Sequence, residues 1–235
     1  MRGIGAGRCP ELISVILAAS FIACGVLPDR RSNKKAESVA QDLVYEAVVQ
    51  ELVEGGWGEG KLTQLVFSDE LLTIGGAANG PEECSAEVRK RMTWDYDALP
   101  YDTIVDKIYR FFHSGIYQGA AETETVEEFL KKSCSPGHLS RTFHTKLPRT
   151  FVASSRVQFD AWPAMKSRAP VFGQKYPGAG GVISFSRVGF DTRPDEAMVS
   201  VSFVCGQLCG SGWVYVLRIR SGQWQIAGKR LVWVS

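Results

Sequence analysis

The sequence carries no excess of charge of either sign. Among its 235 residues, 27 Lys and Arg oppose 25 Asp and Glu, which gives a formal net charge of +2. Because recognition of nucleic acid needs a concentrated basic face, we expect no nucleic acid partner. With 45% hydrophobic and 22% charged residues, the composition is that of a globular protein. Disordered, collagen-like and polytopic membrane proteins are therefore excluded.

Motifs for familiar chemistry are absent as well. The sequence contains no GxSxG, HExxH, P-loop or GxGxxG pattern, and it has only three histidines. His138 and His144 lie six residues apart, a spacing that does not place two metal ligands on one helix face. We therefore expect no cofactor, no metal and no catalytic residue. The alternative is a small hydrolase or metal-dependent enzyme that uses these histidines with Cys205 and Cys209.

The N-terminal segment has the layout of a secretion signal. Two arginines, Arg2 and Arg8, precede an apolar run at residues 12–23, which is too short to span a bilayer. The run ends in Phe-Ile-Ala-Cys at residues 21–24, which resembles the lipobox of bacterial lipoproteins. The resemblance implies cleavage before Cys24 and acylation of this cysteine, which anchors the chain to a membrane. A plainly cleaved signal and an uncleaved anchor are the alternatives.

The expected organisation has three parts. Residues 1–23 are the signal peptide, residues 24–35 are the lipidated cysteine and a tether, and residues 36–235 form a single α+β domain. The tether is polar and unpatterned, and its four basic residues could also contact anionic lipid headgroups.

Four cysteines remain in the mature domain, and an even number in an extracytoplasmic protein favours disulfides. Cys205 and Cys209 frame a glycine-containing turn, which predicts a local bridge between them. This pairing leaves Cys84 to bond with Cys134. A CxxxC redox or metal pair and free thiols are the alternatives.

Helical patterns occupy the first part of the domain. Apolar residues recur at helical spacing over residues 36–54, and Gly55-Gly56 ends the run. Residues 62–74 favour a strand or a bent pair of strands. Further helices are predicted from Pro81, from Asp102, and from a capping box at Thr125 that leads to Lys132.

Strand patterns dominate the last third of the chain. Runs at residues 182–188, 197–204, 213–220 and 223–234 predict an antiparallel meander, with a tight hairpin at Ser221-Gly222. Alternation in the third run is typical of a sheet with one buried face. We therefore expect an α+β fold in which N-terminal helices pack on a curved antiparallel C-terminal sheet. A cone-shaped fold of the nuclear-transport-factor-like or cystatin-like type suits this order of elements.

Five short strings in residues 176–235 form a pattern that reads YP…SRVGF…CGxLCGxG…GxW…WxS. This pattern is similar to that of an uncharacterised bacterial secreted or lipoprotein family. The resemblance implies an extracytoplasmic location and a shared fold, and it carries no activity.

Two ligand sites are conceivable in this region. An incompletely covered sheet face would form a cleft, for which the candidate residues are Tyr176, Arg187, Trp213 and Arg218. The glycines at residues 206–212 could form an anion-binding nest, or they could permit positive φ in the disulfide-closed turn.

The function expected from the sequence is non-catalytic binding by a lipid-anchored, extracytoplasmic domain of the bacterial cell envelope. Its expected partners are the membrane, through the anchor on Cys24, and a protein or another envelope component. A purely structural envelope protein is a further alternative.

Overall fold

The structure, a computed structural model, describes residues 30–55, 62–73, 121–153, 171–192, 195–206 and 209–234. The chain divides into two compact units, Met1–Ser38 and Val39–Ser235. The predicted signal peptide, Cys24, Cys84 and the helices expected from Pro81 and Asp102 lie outside the described residues.

Three helices and seven strands are described. In chain order they are α1 (Arg30–Glu54), β1 (Leu65–Ser68), α2 (Thr123–Ser133), β2 (Arg149–Val152), α3 (Val171–Lys175), β3 (Val182–Phe185), β4 (Gly189–Phe190), β5 (Glu196–Gly206), β6 (Cys209–Arg220) and β7 (Gln223–Val234). The strands form one open sheet in the order β2-β1-β3-β5-β6-β7, and β4 pairs with β5. This architecture confirms the α+β class.

The predicted meander is present as four antiparallel strands, β3, β5, β6 and β7. The tight hairpin between β6 and β7 is confirmed, since Ser221 and Gly222 both have positive φ, 53° and 76°. Positive φ at both central residues gives a two-residue loop the twist that matches its flanking strands.

The sheet is mixed rather than wholly antiparallel, because β1 pairs in parallel with both β2 and β3. Parallel pairing needs long connections between the strands, and more than 75 residues separate β1 from β2 along the chain. The sequence patterns of short isolated strands do not specify such partners.

Strand β7 contains two bulges where it pairs with β6. The register shifts between Gly212 and Trp213 and again between Val216 and Leu217. In β7 the extra residues are Val232 and Ala227, which face no partner in β6. Both pack against the same core cluster, so the bulges add apolar contacts to one face of the sheet.

Both faces of the sheet are buried at its centre, which corrects the expectation of one buried face. Tyr215 and Leu217 of β6 belong to the larger core cluster beneath α1, whereas Val214 and Val216 belong to the cluster beneath α2. Alternate residues of one strand thus enter two different cores.

The larger core is rich in aromatic rings. From α1 it receives Val44, Tyr45, Val48, Val49 and Leu52, and opposite them lie Phe67, Phe143 and Phe185. Two further apolar residues of the helical pattern at residues 36–54, Val39 and Leu43, have exposed side chains, by 53% and 42%.

Helix α1 begins at Arg30, inside the segment expected to be an unstructured tether. Further along the helix, Tyr45 is almost fully buried, and its hydroxyl donates a hydrogen bond to the Ser186 carbonyl oxygen at 3.0 Å. Burial raises the pKa of Tyr45 well above its ordinary value, so this group stays a neutral donor.

Helix α2 begins before the predicted capping box. Its N-cap residue is Glu122, whose backbone N–H donates to Oε1 of Glu196 at 2.6 Å. Thr125, the predicted cap, is fully buried within the helix, and its hydroxyl has no hydrogen-bond partner. A carboxylate from a strand 74 residues away therefore takes the place of a local cap.

Candidate functional site

The first string of the family-like pattern, Tyr176-Pro177, forms a turn that is hydrogen-bonded to the residues just before β1. Tyr176 packs on Phe172 with ring centroids 5.1 Å apart. The carbonyl oxygens of Pro177 and Gly178 accept hydrogen bonds from Gln64 Nε2 at 2.8 Å and from the Thr63 N–H at 3.0 Å. Gly178 has φ of +78°, a conformation that favours glycine.

The second string, residues 186–190, is used in packing along its length. Ser186 Oγ accepts the Ser200 N–H at 2.8 Å and donates to the Arg187 carbonyl at 2.9 Å. A Cβ on Gly189 would overlap the backbone of Phe129 in α2, so this glycine permits close approach of helix and sheet. The Phe190 ring lies 6.0 Å from that of Trp224.

The disulfide between Cys205 and Cys209 is present, as predicted. Cys134 is disulfide-bonded too, whereas Cys84, its expected partner, lies outside the described residues. A Cys–His nucleophile needs a free thiol, and the bond between Cys205 and Cys209 removes it from both residues.

Gly210 and Gly212 are explained by side-chain packing, and neither the expected anion nest nor the expected positive-φ turn accounts for them. Both lie within β6, paired to β5, and neither has a positive φ. A Cβ at Gly212 would overlap the indole of Trp233, and one at Gly210 would lie 3.1 Å from the same ring. At these two positions the glycines leave room for Trp233, and they form neither a positive-φ turn nor an anion nest.

The four residues of the expected cleft do not form one site. Trp213 and Arg218 lie on opposite faces of β6, because five positions separate them along a regularly alternating strand. Trp213 packs on the core beneath α1, and Lys229 Nζ lies 5.8 Å from its ring centroid. Arg218 Nε donates to the buried Glu196 Oε2 at 2.7 Å.

The other two residues of the expected cleft also have structural partners. Tyr176 packs against a third cluster of Val66, Val152 and Val182. Arg187 donates to the Ser135 and Pro136 carbonyl oxygens, at 3.3 and 2.8 Å, just beyond the end of α2. Each side chain thus stabilises its own part of the fold.

The two histidines of the enzyme alternative have acidic neighbours. His138 forms an isolated β-bridge with Glu70. His144 places Nδ1 3.2 Å from Glu46 Oε1 and donates its backbone N–H to the same oxygen at 2.5 Å. Within the ranges that the structure describes, no group of three or more His, Cys, Asp or Glu side chains is arranged to hold a metal ion.

A different cluster of polar and aromatic side chains lies beside β2, and sequence reasoning missed it. It consists of Arg141, Phe143, Arg149 and Phe151, and we call it the arginine platform. The guanidinium carbon of Arg149 is 5.2 Å from the Phe143 ring centroid and 5.7 Å from that of Phe151. That of Arg141 is 5.4 Å from the Phe151 centroid, so both cations rest on one ring.

The aromatic floor of the platform is part of the larger core. Phe143 is fully buried, and its ring meets that of Phe151 edge to face, with centroids 6.0 Å apart. Phe67 contacts both rings, at 5.3 and 5.7 Å. The guanidinium groups therefore rest on rigidly packed rings.

The loop that carries the platform is tied to α1. Asp42 accepts a hydrogen bond from the Thr142 hydroxyl, Glu46 contacts His144, and Lys146 Nζ lies 3.5 Å from Glu54 Oε1. Three residues of one helix thus hold the loop in place.

The two arginines differ in how their charge is balanced. Arg141 Nη2 lies 3.6 Å from Asp69 Oδ2, and the Arg141 side chain is 66% exposed. Arg149 donates from Nη2 to the Arg141 carbonyl oxygen at 3.0 Å. In the described parts of the chain, no carboxylate lies within ion-pair distance of Arg149, so most of its five donors have no protein partner.

One feature of the sequence could have identified the platform. The tripeptide Arg-Thr-Phe occurs twice, at residues 141–143 and 149–151. In the structure the repeat places two Arg–Phe pairs side by side, one in the loop and the other in β2.

Comparison of the chain with family models, with curated proteins and with solved structures yields no match. No helix in the described ranges is long and apolar enough to cross a membrane.

Proposed function

We propose that this chain is a lipid-anchored, extracytoplasmic protein of the bacterial cell envelope whose α+β domain binds a partner without catalysis. The observation that carries the proposal is the disulfide between Cys205 and Cys209, in a chain in which a signal-like segment precedes Cys24. Disulfides persist in oxidising compartments outside the cytoplasm, where such a signal would deliver the domain.

Acylation of Cys24 supplies the attachment in this proposal. A single acyl chain binds a membrane only marginally, whereas the two or three chains of a lipoprotein anchor hold it stably. Binding rather than catalysis is supported by the oxidised turn, since the disulfide between Cys205 and Cys209 leaves neither residue a thiol for nucleophilic attack.

The anchor is tested by metabolic labelling of the full chain in a bacterial host with an alkyne fatty acid. We expect the wild type to take up the label and to sediment with membranes. Cys24→Ser should lose the label, because it removes the acylated thiol. Cys9→Ser, a cysteine within the signal segment, is the matched control and should keep it. An unlabelled wild type, or a labelled Cys24→Ser variant, would refute the lipid anchor.

A further inference from the structure

We propose that the arginine platform binds a carboxylate, and that this group is how the domain recognises its ligand. The inference rests on the proposed binding function and adds to it the place and the chemical class of the ligand. It is carried by Arg149, a guanidinium held against two aromatic rings with no carboxylate of the described chain beside it.

The geometry favours an oxyanion because guanidinium groups present paired N–H donors that match two oxygens of one ligand group. Arg149 uses Nη2 for the Arg141 carbonyl oxygen, and this bond fixes the orientation of its plane. Contact with the rings of Phe143 and Phe151 restricts the side chain further, so little conformational entropy remains to be lost on binding.

The local charge favours a single negative charge on the ligand. Of the two guanidinium groups, only that of Arg141 lies within ion-pair distance of a described carboxylate, that of Asp69, whereas Lys146 pairs with Glu54 on α1. Arg149 therefore has no ion-pair partner among the described residues, and the carboxylate of a ligand would supply one.

The experiment follows the side-chain Nε–H signals of arginine by NMR in the full chain, titrated with sodium acetate at constant ionic strength set by chloride. We expect the Arg149 and Arg141 signals to shift and saturate together in the millimolar range. Arg220, an exposed arginine at the end of β6, is the internal control, and its signal should not saturate.

Arg149→Lys provides the decisive variant, because lysine keeps the charge but loses the paired donors of the planar guanidinium group. We expect it to weaken acetate binding at least tenfold, while the matched Arg220→Lys leaves binding unchanged. An unchanged dissociation constant in Arg149→Lys, or equal shifts at Arg220 in the wild type, would overturn the proposal.

Two further titrations identify the source of the carboxylate. The amidated form of a short peptide lacks the C-terminal carboxylate and should not bind. The same peptide with a free C-terminus should bind more tightly than acetate if the ligand is a peptide end, and no more tightly than acetate if the ligand is an acidic small molecule. Either outcome keeps the carboxylate, whereas tighter binding of dimethyl phosphate than of acetate would overturn it in favour of a phosphodiester. Labelling of Cys24 does not depend on any of these results, so failure of the anchor and failure of the site are distinguishable.

Discussion

The region of the family-like pattern and the arginine platform use the same residue types in opposite ways. In the pattern, Arg187 donates two hydrogen bonds to carbonyl oxygens beyond the end of α2, and the Trp233 ring packs over two glycines of β6. In the platform, Arg149 rests on two rings and keeps most of its donors unused. The family-like pattern thus stabilises the fold, and the side chains best placed to contact a ligand lie outside the pattern.

The largest expected effect comes from Gly189→Ala in the pattern. The added Cβ would overlap the backbone of Phe129, so α2 must move away from the sheet. We expect a loss of about 3 kcal/mol or more in the free energy of unfolding, measured by urea denaturation followed by circular dichroism.

Gly173→Ala is the matched control, because no atom lies within 4 Å of a Cβ at this exposed position of α3. It should be neutral or stabilising by up to about 1 kcal/mol. Equal destabilisation by the two changes would show that the close approach at Gly189 is unimportant.

Glu196→Ala should destabilise the protein by about 2 kcal/mol. It removes the carboxylate that accepts both the Glu122 N–H and Arg218 Nε, and it leaves two donors without a partner. Thermal unfolding would measure the loss as a lower midpoint, by roughly 4 to 8 °C. Glu128→Ala removes only partly exposed ion pairs with Lys131 and Lys132, and a comparable drop in the midpoint of this variant would contradict the buried-cap explanation.

The smallest expected effects come from removing one arginine of the family-like pattern, Arg187, and one arginine of the platform, Arg149. Arg187→Ala should cost about 1.5 kcal/mol, because two carbonyl oxygens lose a charged donor. Arg149→Ala should cost less, about 1 kcal/mol, because it removes one hydrogen bond to the carbonyl oxygen of the exposed Arg141 and partly accessible cation–π contacts. The urea midpoints of the two variants, measured side by side, test this order. A lower midpoint for Arg149→Ala than for Arg187→Ala would show that Arg149 is the structural residue.

Local patterns were sufficient to predict the strands of the last third of the chain. The strands β5, β6 and β7 follow one another through short turns, so each partner is a neighbour in sequence and the turn residues set the register. The disulfide between Cys205 and Cys209 could be predicted for the same reason, because the two cysteines are close together in the sequence.

Long-range contacts explain what the sequence did not reveal. The cap on α2 comes from Glu196, and the parallel partners of β1 lie far along the chain. The platform escaped notice because its aromatic floor is completed by Phe67 of β1, which is far from Phe143 and Phe151 along the chain, although the Arg-Thr-Phe repeat is visible in the sequence.

The bulges of β7 have a consequence for how this chain can vary in length. Deletion of Ala227 or Val232 would remove a residue that faces no partner, and every other side chain would keep its face. Deletion of Lys229, between the bulges, would instead turn its neighbours from one core toward the other. Related chains that differ by one residue in this strand should therefore differ at the bulges.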